Sequence, residues 1–440
     1  MSFFWLNFSF VRFSKLPHST SVQLSGRVSY IQTHIRIKRV EGSTNMKFFH
    51  TADWHLGKLV QGVSMTEEQR FVLNQFTAAI AEEKPDAVII AGDLYDRAVP
   101  PTDAVNLLDE VLETIVLTLK TPVIAVSGNH DSPGRLNFGS RMMKSNGFYI
   151  SGQLKKELEP IVLQDECGEV HFHLVPYADP SQVRHVLDDS DIRTHDDAMK
   201  KMVAHIQSTM DSTKRHVLVG HAFVTPHGEA EENTSDSERP LAIGGAEYVS
   251  AVHFKNFHYT ALGHLHQAHY VSNETVRYSG SPLKYSISEE HHQKGFHIVH
   301  MDEHGNVSVE KRLLTPNRDI RTVEGKMEDI LKHDVNEDYV FMKLLDDTPI
   351  LFPMEKVRSV YPNAMHVERK MFSVTGEQGQ TSVGSRQKMD DVSLFNAFYE
   401  EVKGEKASEE TEAIFKEVLQ DFLLEEREVT SPSKSVGVKI

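Results

Sequence analysis

The feature that most constrains the fold is a series of short apolar runs that alternate with longer stretches of helical periodicity. Runs of four to six residues are typical of strands that are buried on both faces. The spacing also predicts a helix over residues 66 to about 84, which opens with a capping box at Thr66 and Gln69, and a second over residues 102 to about 119. Strands that alternate with helices predict a layered α/β domain, whose ligands bind at the carboxyl ends of the strands. The runs occupy residues 47–52, 87–91, 123–126, 216–219 and 259–262.

A short polar motif follows each of these runs. The motifs are Asp53-Trp54-His55, Gly92-Asp93-Leu94-Tyr95-Asp96, Gly128-Asn129-His130-Asp131, Gly220-His221 and Gly263-His264-Leu265-His266. In the last four, a glycine precedes the polar residue and permits a close approach of the backbone as the chain leaves the sheet. Any one motif alone is more often a turn or a helix cap. Five motifs in order, each behind an apolar run, predict polar side chains that converge in one crevice.

The residue types in these motifs favour a site for two divalent metal ions. Imidazole and carboxylate together suit ions of intermediate hardness, such as manganese, iron or zinc. Two ions about 3.5–4 Å apart need an anionic ligand that bridges them, and Asp93 is the best candidate. Alternate residues of an extended chain face the same way, so the two residues of a pair such as Asp53 and His55 can share a site. The predicted ligands are Asp53, His55, Asp93, Asn129, His221, His264 and His266.

Other polar residues of the motifs are predicted to have different roles. His130 lies beside Asn129 and is not needed as a ligand, so it could protonate the leaving alkoxide of a phosphodiester. Asp96 and Asp131 are candidates for supporting the ligands, although Asp96 could equally be a helix cap. The histidines without a preceding glycine and strand are expected to be structural or surface residues, namely His171, His173, His258, His269, His291 and His292.

The charge of the chain limits how it can bind a polyanion. The net charge is −16, although residues 1–45 carry six basic residues and one acidic residue. A DNA substrate would therefore need a local basic rim, the metal ions or a partner. One cysteine, Cys167, and no apolar stretch of about 20 residues favour a protein of a reducing compartment, the cytoplasm. Candidate DNA contacts near the motifs are Lys58, Arg97, Arg135, Arg141 and Lys144.

Composition divides the chain into six predicted segments. Met46 begins a clean strand, so the segment before it is expected to be an unstructured or mis-called extension whose removal leaves activity intact. The smaller domain is expected to include a hairpin of residues 297–300 and 307–313. The segments are an extension (1–45), a catalytic domain (46–285), a smaller α+β domain (286–375), a Gly/Ser/Thr-rich linker (376–389), two amphipathic helices (390–428) and a disordered tail (429–440).

The ordered motifs resemble those of the calcineurin-like metallophosphoesterase superfamily over residues 47–285, and in detail those of the SbcD family of bacterial nuclease subunits over residues 46–425. The resemblance implies a two-layered β-sandwich flanked by helices, followed by a smaller α+β capping domain and C-terminal helices. The sequences that carry it are HTADWHLG (50–57), AGDLYD (91–96), SGNHDS (127–132), LGHLHQ (262–267) and YSGSPL (278–283).

The resemblance also implies roles for the site and for partners. One manganese ion would be held by Asp53, His55, Asp93 and His266, and a second by Asp93, Asn129, His221 and His264, with His130 as the catalytic histidine. The implied activities are an ATP-dependent 3′–5′ exonuclease on double strands and an endonuclease on single strands and hairpins, acting in DNA repair, replication and recombination. The terminal helices would dock on the coiled-coil base of an SbcC-like ATPase, within a heterotetramer that contains a homodimer of this chain, associated with the bacterial nucleoid.

Two alternatives remain open from the sequence. A phosphoprotein phosphatase or a cyclic-nucleotide phosphodiesterase could use the same metal site, although the smaller domain and the terminal helices disfavour both. A non-catalytic scaffold could retain the metals, although the complete ligand set and His130 argue against it. The apolar faces of the terminal helices could pack on the smaller domain, but the intervening linker favours a partner.

Overall fold

The described part of the chain covers residues 35–36, 45–229, 235–238, 241, 247–369, 391–403 and 406–428 of a computed structural model. Its strands are β1 (Ile35–Arg36), β2 (Met46–Thr51), β3 (Leu59–Val60), β4 (Val63–Ser64), β5 (Ala87–Ala91), β6 (Val123–Val126), β7 (Phe148–Ser151), β8 (Ile161–Asp165), β9 (Gly168–Val175), β10 (Arg215–His221), β11 (Phe223–Thr225), β12 (Tyr248–Ser250), β13 (Tyr259–Gly263), β14 (His269–Tyr270), β15 (Val276–Tyr278), β16 (Gly295–Met301), β17 (Val307–Leu313), β18 (Ile320–Gly325), β19 (Tyr339–Leu344) and β20 (His366–Arg369).

The helices of the same residues are mostly short. They are α1 (Thr66–Glu83), α2 (Thr102–Leu112), α3 (Pro133–Asn137), α4 (Ser140–Lys144), α5 (Pro180–Leu187), α6 (His195–Gln207), α7 (Met327–Ile330), α8 (Pro353–Arg358), α9 (Asp391–Lys403) and α10 (Glu409–Glu428). A π-helical segment, Glu113–Thr118, continues α2, and 3₁₀ turns occupy Ala251–Phe254 and Ile287–Glu289. No helix of these residues is long and apolar enough to cross a membrane.

Two sheets lie face to face and enclose the central core. The first has the order β17-β16-β2-β5-β6-β7, and the second the order β1-β8-β9-β10-β13-β15-β14. Side chains such as Phe48 and Ile89 of the first sheet join Phe172 and Val217 of the second in one buried cluster. Five strands begin and end within two residues of the predicted runs. The predicted two-layered sandwich is thus confirmed.

Helices cover the outer faces of both sheets. Leu107 of α2 and Phe76 of α1 pack in a cluster with Phe49 of the first sheet. Met202 of α6 packs in a cluster with Leu218 of the second sheet. Because both faces of each sheet are covered, central strands such as β5 and β6 consist of apolar residues throughout.

The predicted capping box at the start of α1 is wrong. Met65 is the N-cap residue, and its side chain makes no capping hydrogen bond. The Gln69 side chain instead bonds the loop after β2, so that it is not available to the helix start. A local sequence motif is here overridden by a tertiary contact.

The hairpin predicted in the smaller domain belongs to the first sheet. Strand β16 pairs antiparallel with β2, with His297 opposite His50, and β17 pairs with β16. The predicted domain boundary at residue 286 therefore falls before β16 and β17, which are strands of the first sheet. The pairing of β16 with β2 joins residues about 250 positions apart, which local periodicity does not reveal.

A small parallel sheet follows the hairpin. It has the order β18-β19-β20, and residues of α7 and α8 such as Ile330 and Val357 complete its own apolar core.

The two predicted terminal helices are present as α9 and α10, and the rings of Phe395 and Phe415 stack between them with centroids 4.0 Å apart.

Several predicted segments lie wholly or mostly outside the described residues. These are the linker, the tail and most of the N-terminal extension. Within the extension, β1 pairs in parallel with β8. The expectation of an unstructured segment is therefore wrong for Ile35 and Arg36.

Candidate metal centre

The predicted ligands lie at the carboxyl ends of adjoining strands. In the first sheet, β2, β5 and β6 are neighbours and end shortly before Asp53, Asp93 and Asn129. In the second, β10 ends at His221 and its neighbour β13 ends directly before His264. Asn129 is half-buried, and the other six predicted ligands are at most 3% exposed. The structure therefore brings all five motifs to one end of the sandwich.

Four of these positions have a left-handed backbone that L residues rarely adopt. The φ angle is +54° at Asp53, +44° at His55, +50° at Asp93 and +117° at His264. Such a conformation costs of the order of 1–3 kcal/mol and persists only where the surroundings enforce it. Here the Asp53 N–H donates to Gly92 O at 3.1 Å, and the His55 N–H donates to Asp93 O at 2.9 Å. The loops after β2 and β5 thus hold each other in place.

Three of the motif glycines are required by close contacts. A Cβ atom would lie 2.2 Å from His221 Nδ1 if added at Gly92, 2.1 Å from Asp93 Oδ1 at Gly128, and 1.9 Å from Ala91 O at Gly263. The predicted close approach is confirmed at these positions. At Gly220 the nearest atom is a side-chain carbon at 3.3 Å, so the same expectation is not supported there.

Asp93 lies at the centre of the cluster. Its Oδ2 atom is 3.5 Å from Nε2 of His55 and 3.5 Å from Nε2 of His221. Its Oδ1 atom accepts a hydrogen bond from the His130 backbone N–H at 2.9 Å. One carboxylate oxygen thus lies between two imidazoles from different sheets.

Among the described residues, three groups of histidine and aspartate side chains have ligand atoms within 4.8 Å of one another. They are Asp53, His55 and His266; His55, Asp93 and His130; and Asp53, Asp93 and His221. Because the groups share members, they form one continuous cluster. Nitrogen and oxygen ligands at these separations mark a site for divalent metal.

Hydrogen bonds behind the imidazoles fix their tautomers. His221 Nδ1 lies 2.9 Å from Ala91 O, and a carbonyl oxygen can only accept, so Nδ1 carries the proton. By the same argument His130 Nδ1 donates to Asp96 O at 2.7 Å. The Nε2 atom of His221 then presents a lone pair, which faces the Asn129 Oδ1 atom at 2.9 Å. Two acceptors that face each other are what a shared cation would satisfy.

Burial keeps the imidazoles neutral. It lowers the pKa of His55 and of His264 well below the ordinary histidine value, and lowers the pKa of His221 to about 4. Burial and then the neighbouring Asp93 raise the pKa of Asp53 well above its usual value. Neutral imidazole is the form that binds metal, and a divalent cation would relieve the repulsion between the two carboxylates. The donor set therefore fits divalent metal ions.

The two predicted supporting carboxylates have different surroundings. Asp131 accepts from the backbone N–H groups of Leu94, Tyr95 and Gly128 at 2.9–3.1 Å, so it ties the loops after β5 and β6 together. Burial and then Asp93 raise its pKa to about 7.

Asp96 lies beside a predicted ligand. Its Oδ1 atom is 3.8 Å from His55 Nδ1 and 2.9 Å from Lys58 Nζ. The next helix, α2, begins only at Thr102. The alternative role of Asp96 as a helix cap is therefore wrong.

Sequence reasoning missed the residues that hold the loop after β2. The Gln69 Nε2 atom donates to Trp54 O at 3.0 Å and to His55 O at 2.7 Å, and its Oε1 atom accepts from the Gly57 N–H at 3.1 Å. The Tyr285 hydroxyl also donates to Trp54 O. The only signal at Gln69 was its helical position, which suggested a cap.

Sequence reasoning also missed the residues around His266. Its Nδ1 atom lies 3.0 Å from Glu289 Oε1, and its backbone N–H donates to Glu238 Oε1 at 2.5 Å. Burial alone would raise the pKa of Glu289, but Lys294 and His266 outweigh it and hold that pKa well below its usual range. No local pattern distinguishes these residues from surface charges.

The predicted DNA contacts differ in exposure. Lys58 is largely buried and paired with Asp96, whereas the Arg97 side chain is 51% exposed. Arg135 on α3, and Arg141 and Lys144 on α4, are exposed.

The six histidines that were expected to be structural or surface residues lie outside the metal groups of the described residues. His173 is buried and bonds His216 at 3.0 Å, and His269 stacks on Tyr278. His291 is 90% exposed at its side chain.

A two-layered sandwich with buried imidazoles and carboxylates at its strand ends defines a metal-dependent phosphoesterase of the calcineurin-like class. The sequence profile of the calcineurin-like phosphoesterases matches residues 46–268. A second profile, described as the type 5 capsule protein repressor C-terminal domain, matches residues 316–403.

Two curated relatives show to which family within this class the chain belongs. The D subunit of the nuclease SbcCD from Staphylococcus epidermidis is 35% identical over 368 residues, which are 83% of this chain and 95% of that protein. The protein of the same name from Staphylococcus saprophyticus is 34% identical over 364 residues, 82% of this chain and 94% of that protein. The chain belongs to the SbcD family. It is an enzyme, a metal-dependent phosphodiesterase of the hydrolase class.

A solved structure also matches part of the chain. A dimetal phosphatase from Danio rerio is 13% identical, and the match covers 62% of this chain and 97% of that chain with a TM-score of 0.35.

Proposed function

We propose that this chain is a DNA nuclease that uses two manganese ions and acts with an ATPase partner. The observation that carries the proposal is the position of Asp93 Oδ2, 3.5 Å from an imidazole nitrogen on either side. A carboxylate oxygen shared between two ligand groups is what a two-metal hydrolase requires.

The ligands divide into two sets around this carboxylate. The cluster of Asp53, His55 and His266 supports one set that Asp93 completes. The contact of His221 with Asn129 supports a second set, which contains Asp93 and His264 as well. When bound, the ions would lower the pKa of an attacking water and stabilise charge on the phosphate.

The chain's own residues would orient the substrate and move the proton. The bond from His130 Nδ1 to Asp96 O fixes the ring, and the ring packs edge-on against His55 with centroids 4.5 Å apart. We assign Nε2 of His130 as the atom that gives a proton to the leaving alkoxide. The amide of Asn129 adds a ligand without a negative charge, which favours the approach of a phosphate anion.

Contacts with DNA would come from exposed basic residues and from a partner. Arg97, Arg135, Arg141 and Lys144 are the proposed contacts, because each is exposed near the motifs. The acidic net charge of −16 limits binding by this chain alone. We therefore propose that the partner supplies much of the affinity for DNA.

The terminal helices are the proposed docking site for an SbcC-like ATPase. Both carry exposed apolar side chains, of which Phe398 is 63% exposed and Val418 is 60% exposed. An apolar helix face is the kind of surface that packs on a coiled coil. Both curated relatives are named as subunits of SbcCD complexes. The complex would contain a homodimer of this chain and work on chromosomal DNA in the bacterial cytoplasm.

The proposed activities are ATP-dependent 3′–5′ exonuclease on duplex ends and endonuclease on single strands and hairpins. The test is to purify the chain with its ATPase partner and to measure manganese-dependent cleavage of blunt duplexes and of hairpins, with and without ATP. A phosphopeptide and a cyclic nucleotide serve as competing substrates. We expect cleavage of DNA to be faster than hydrolysis of either. Faster hydrolysis of the phosphopeptide or the cyclic nucleotide would reject the nuclease assignment.

A further inference from the structure

A buried ion pair lies directly behind His266. Glu289 is fully buried at the end of a 3₁₀ turn, and Lys294 is 7% exposed. The Lys294 Nζ atom is 2.5 Å from Glu289 Oε2. The other carboxylate oxygen, Oε1, lies 3.0 Å from His266 Nδ1. The pair therefore contacts the imidazole from the side opposite the metal cluster.

Lys294 also bonds the backbone of His266. Its Nζ atom donates to His266 O at 2.9 Å and to Ser281 Oγ at 2.8 Å. The backbone N–H of Tyr285 donates to Glu289 Oε2 at 3.3 Å. The ammonium thus bonds Glu289, His266 O and Ser281, with His292 Nδ1 3.4 Å away, and the carboxylate is bonded through both of its oxygens. Burying two charges is costly, so such a pair contributes little net stability, and its main effect is to fix geometry.

The contacts of Glu289 also give His266 the tautomer that a metal ligand needs. An ionised carboxylate can only accept, so His266 Nδ1 carries the proton and Nε2 is left with the lone pair. That Nε2 atom faces the cluster, 3.0 Å from Nε2 of His55. A carboxylate behind a ligating imidazole both sets the tautomer and raises the basicity of the ligand.

We propose that Glu289 and Lys294 are positioning residues that set the affinity of one of the two metal sites, the site that contains His266. The proposal rests on the proposed function, because it takes His266 as a metal ligand. The effect is selective, since Nδ1 of the ligand His221 bonds a backbone carbonyl, Ala91 O, at 2.9 Å, and its nearest carboxylate, that of Asp53, is 3.8 Å away. A substitution at Glu289 should therefore weaken the binding of one ion and leave the binding of the other unchanged.

The test is a calorimetric titration of the full chain with Mn²⁺, supported by the rise in melting temperature that Mn²⁺ causes. Glu289→Gln keeps the size and one acceptor but removes the charge. We expect one of two binding steps to weaken about 10–100-fold, the range found for lost supporting contacts, and the other to stay unchanged. The Mn²⁺-dependent rise in melting temperature should shrink accordingly.

A matched control separates positioning from general stability. Asp165 also belongs to a buried ion pair, with Arg215 at 2.5 Å and side chains 1% and 5% exposed. Arg215 is at the opposite end of β10 from His221. Asp165→Asn should lower the melting temperature and leave both Mn²⁺ steps unchanged.

A second variant covers the case in which Glu289→Gln does not fold. The double variant Glu289→Gln with Lys294→Gln removes both charges and leaves neither uncompensated, and it is expected to show the same selective loss. Equal weakening of both steps, or two steps unchanged within twofold, would overturn the inference. If the wild-type chain shows no pair of Mn²⁺ steps, the proposed function fails instead, and the two failures are thereby distinguished.

Discussion

At the scale of single residues, the site depends on contacts so close that two glycines cannot be replaced by larger residues. The Asp93 carboxylate occupies the space beside Gly128, and His221 occupies the space beside Gly92. Asp93, which follows Gly92, has a positive φ angle, and so does Asp53 in the adjoining loop after β2. Strain and close packing thus coincide where the ligands converge, as is common at functional sites.

Gly128→Ala is predicted to abolish metal binding. The added Cβ would lie 2.1 Å from Asp93 Oδ1 and 2.5 Å from the Asp93 backbone nitrogen, so Asp93 must move. Manganese titration and thermal unfolding measure the effect. The matched control is Gly134→Ala in α3, where the nearest atom is 3.6 Å away. It should bind manganese as the wild type does, and a Gly128→Ala chain that does the same would contradict the placement of Asp93.

His130→Asn is predicted to lower kcat for DNA cleavage about 10²–10⁴-fold, the usual contribution of general acid catalysis. The asparagine amide can still donate to Asp96 O in place of His130 Nδ1. Manganese affinity should therefore change little. Cleavage at the wild-type rate would show that His130 is not the proton donor. A parallel loss of manganese affinity would show that it is a metal ligand instead.

At the scale of elements, the first turn of α1 connects two parts of the molecule. Glu68 is 2% exposed and bonds Arg318 Nη1 at 2.7 Å, just before the small sheet begins. The next residue, Gln69, holds the loop that carries Asp53 and His55. Glu68 also accepts from the Tyr339 hydroxyl of β19 at 3.4 Å, so one helical turn contacts both the small sheet and the metal loop.

Gln69→Glu is predicted to destabilise the fold by about 3 kcal/mol or more. A carboxylate cannot donate, so the buried carbonyls of Trp54 and His55 would each lose one of two hydrogen bonds and would face a buried negative charge. Gln75→Glu is the control, because Gln75 also donates to a carbonyl, Thr315 O, but at the surface. It should cost no more than about 1 kcal/mol. Urea unfolding measures both, and equal effects would refute the role of Gln69.

The strands and the ligand motifs could be predicted from sequence because both are local signals. A buried strand is a short apolar run, and Asp93 or His221 stands within two residues of its end. Contacts between distant segments could not be predicted. Gln69 and Tyr285 are 216 positions apart, and β16 pairs with β2 across a similar distance. The same limit explains why Gln69 was assigned to a capping box.

At the scale of the whole molecule, histidines at the other end of the second sheet make stability depend on pH. His173 Nε2 bonds His216 Nδ1 at 3.0 Å, and His216 Nε2 donates to Asp211 O. Burial, followed by His216, lowers the pKa of His173 to about 3. The unfolded value is about 6.5, so the unfolded chain binds more protons between these values. The contribution of His173 to stability is therefore greatest above about pH 6.5 and falls as the pH drops through this window.

His173→Gln is predicted to weaken this pH dependence. The glutamine amide can still donate to His216 Nδ1 but does not titrate. The loss of unfolding free energy between pH 7 and pH 5 should shrink by about 2 kcal/mol. Urea unfolding at both pH values measures it. His304→Gln, at a side chain that is 76% exposed, should leave the dependence unchanged. An unaltered dependence in His173→Gln would show that other groups cause it.

We propose that Asp93 bridges two manganese ions where the ends of the two sheets meet. The most direct measurement is the number of Mn²⁺ ions bound per chain, counted by electron paramagnetic resonance in the wild type and in Asp93→Asn. We expect two ions in the wild type, coupled through the shared carboxylate, and loss of that coupling together with weaker binding of both ions in Asp93→Asn. Two coupled ions of unchanged affinity in Asp93→Asn would contradict it.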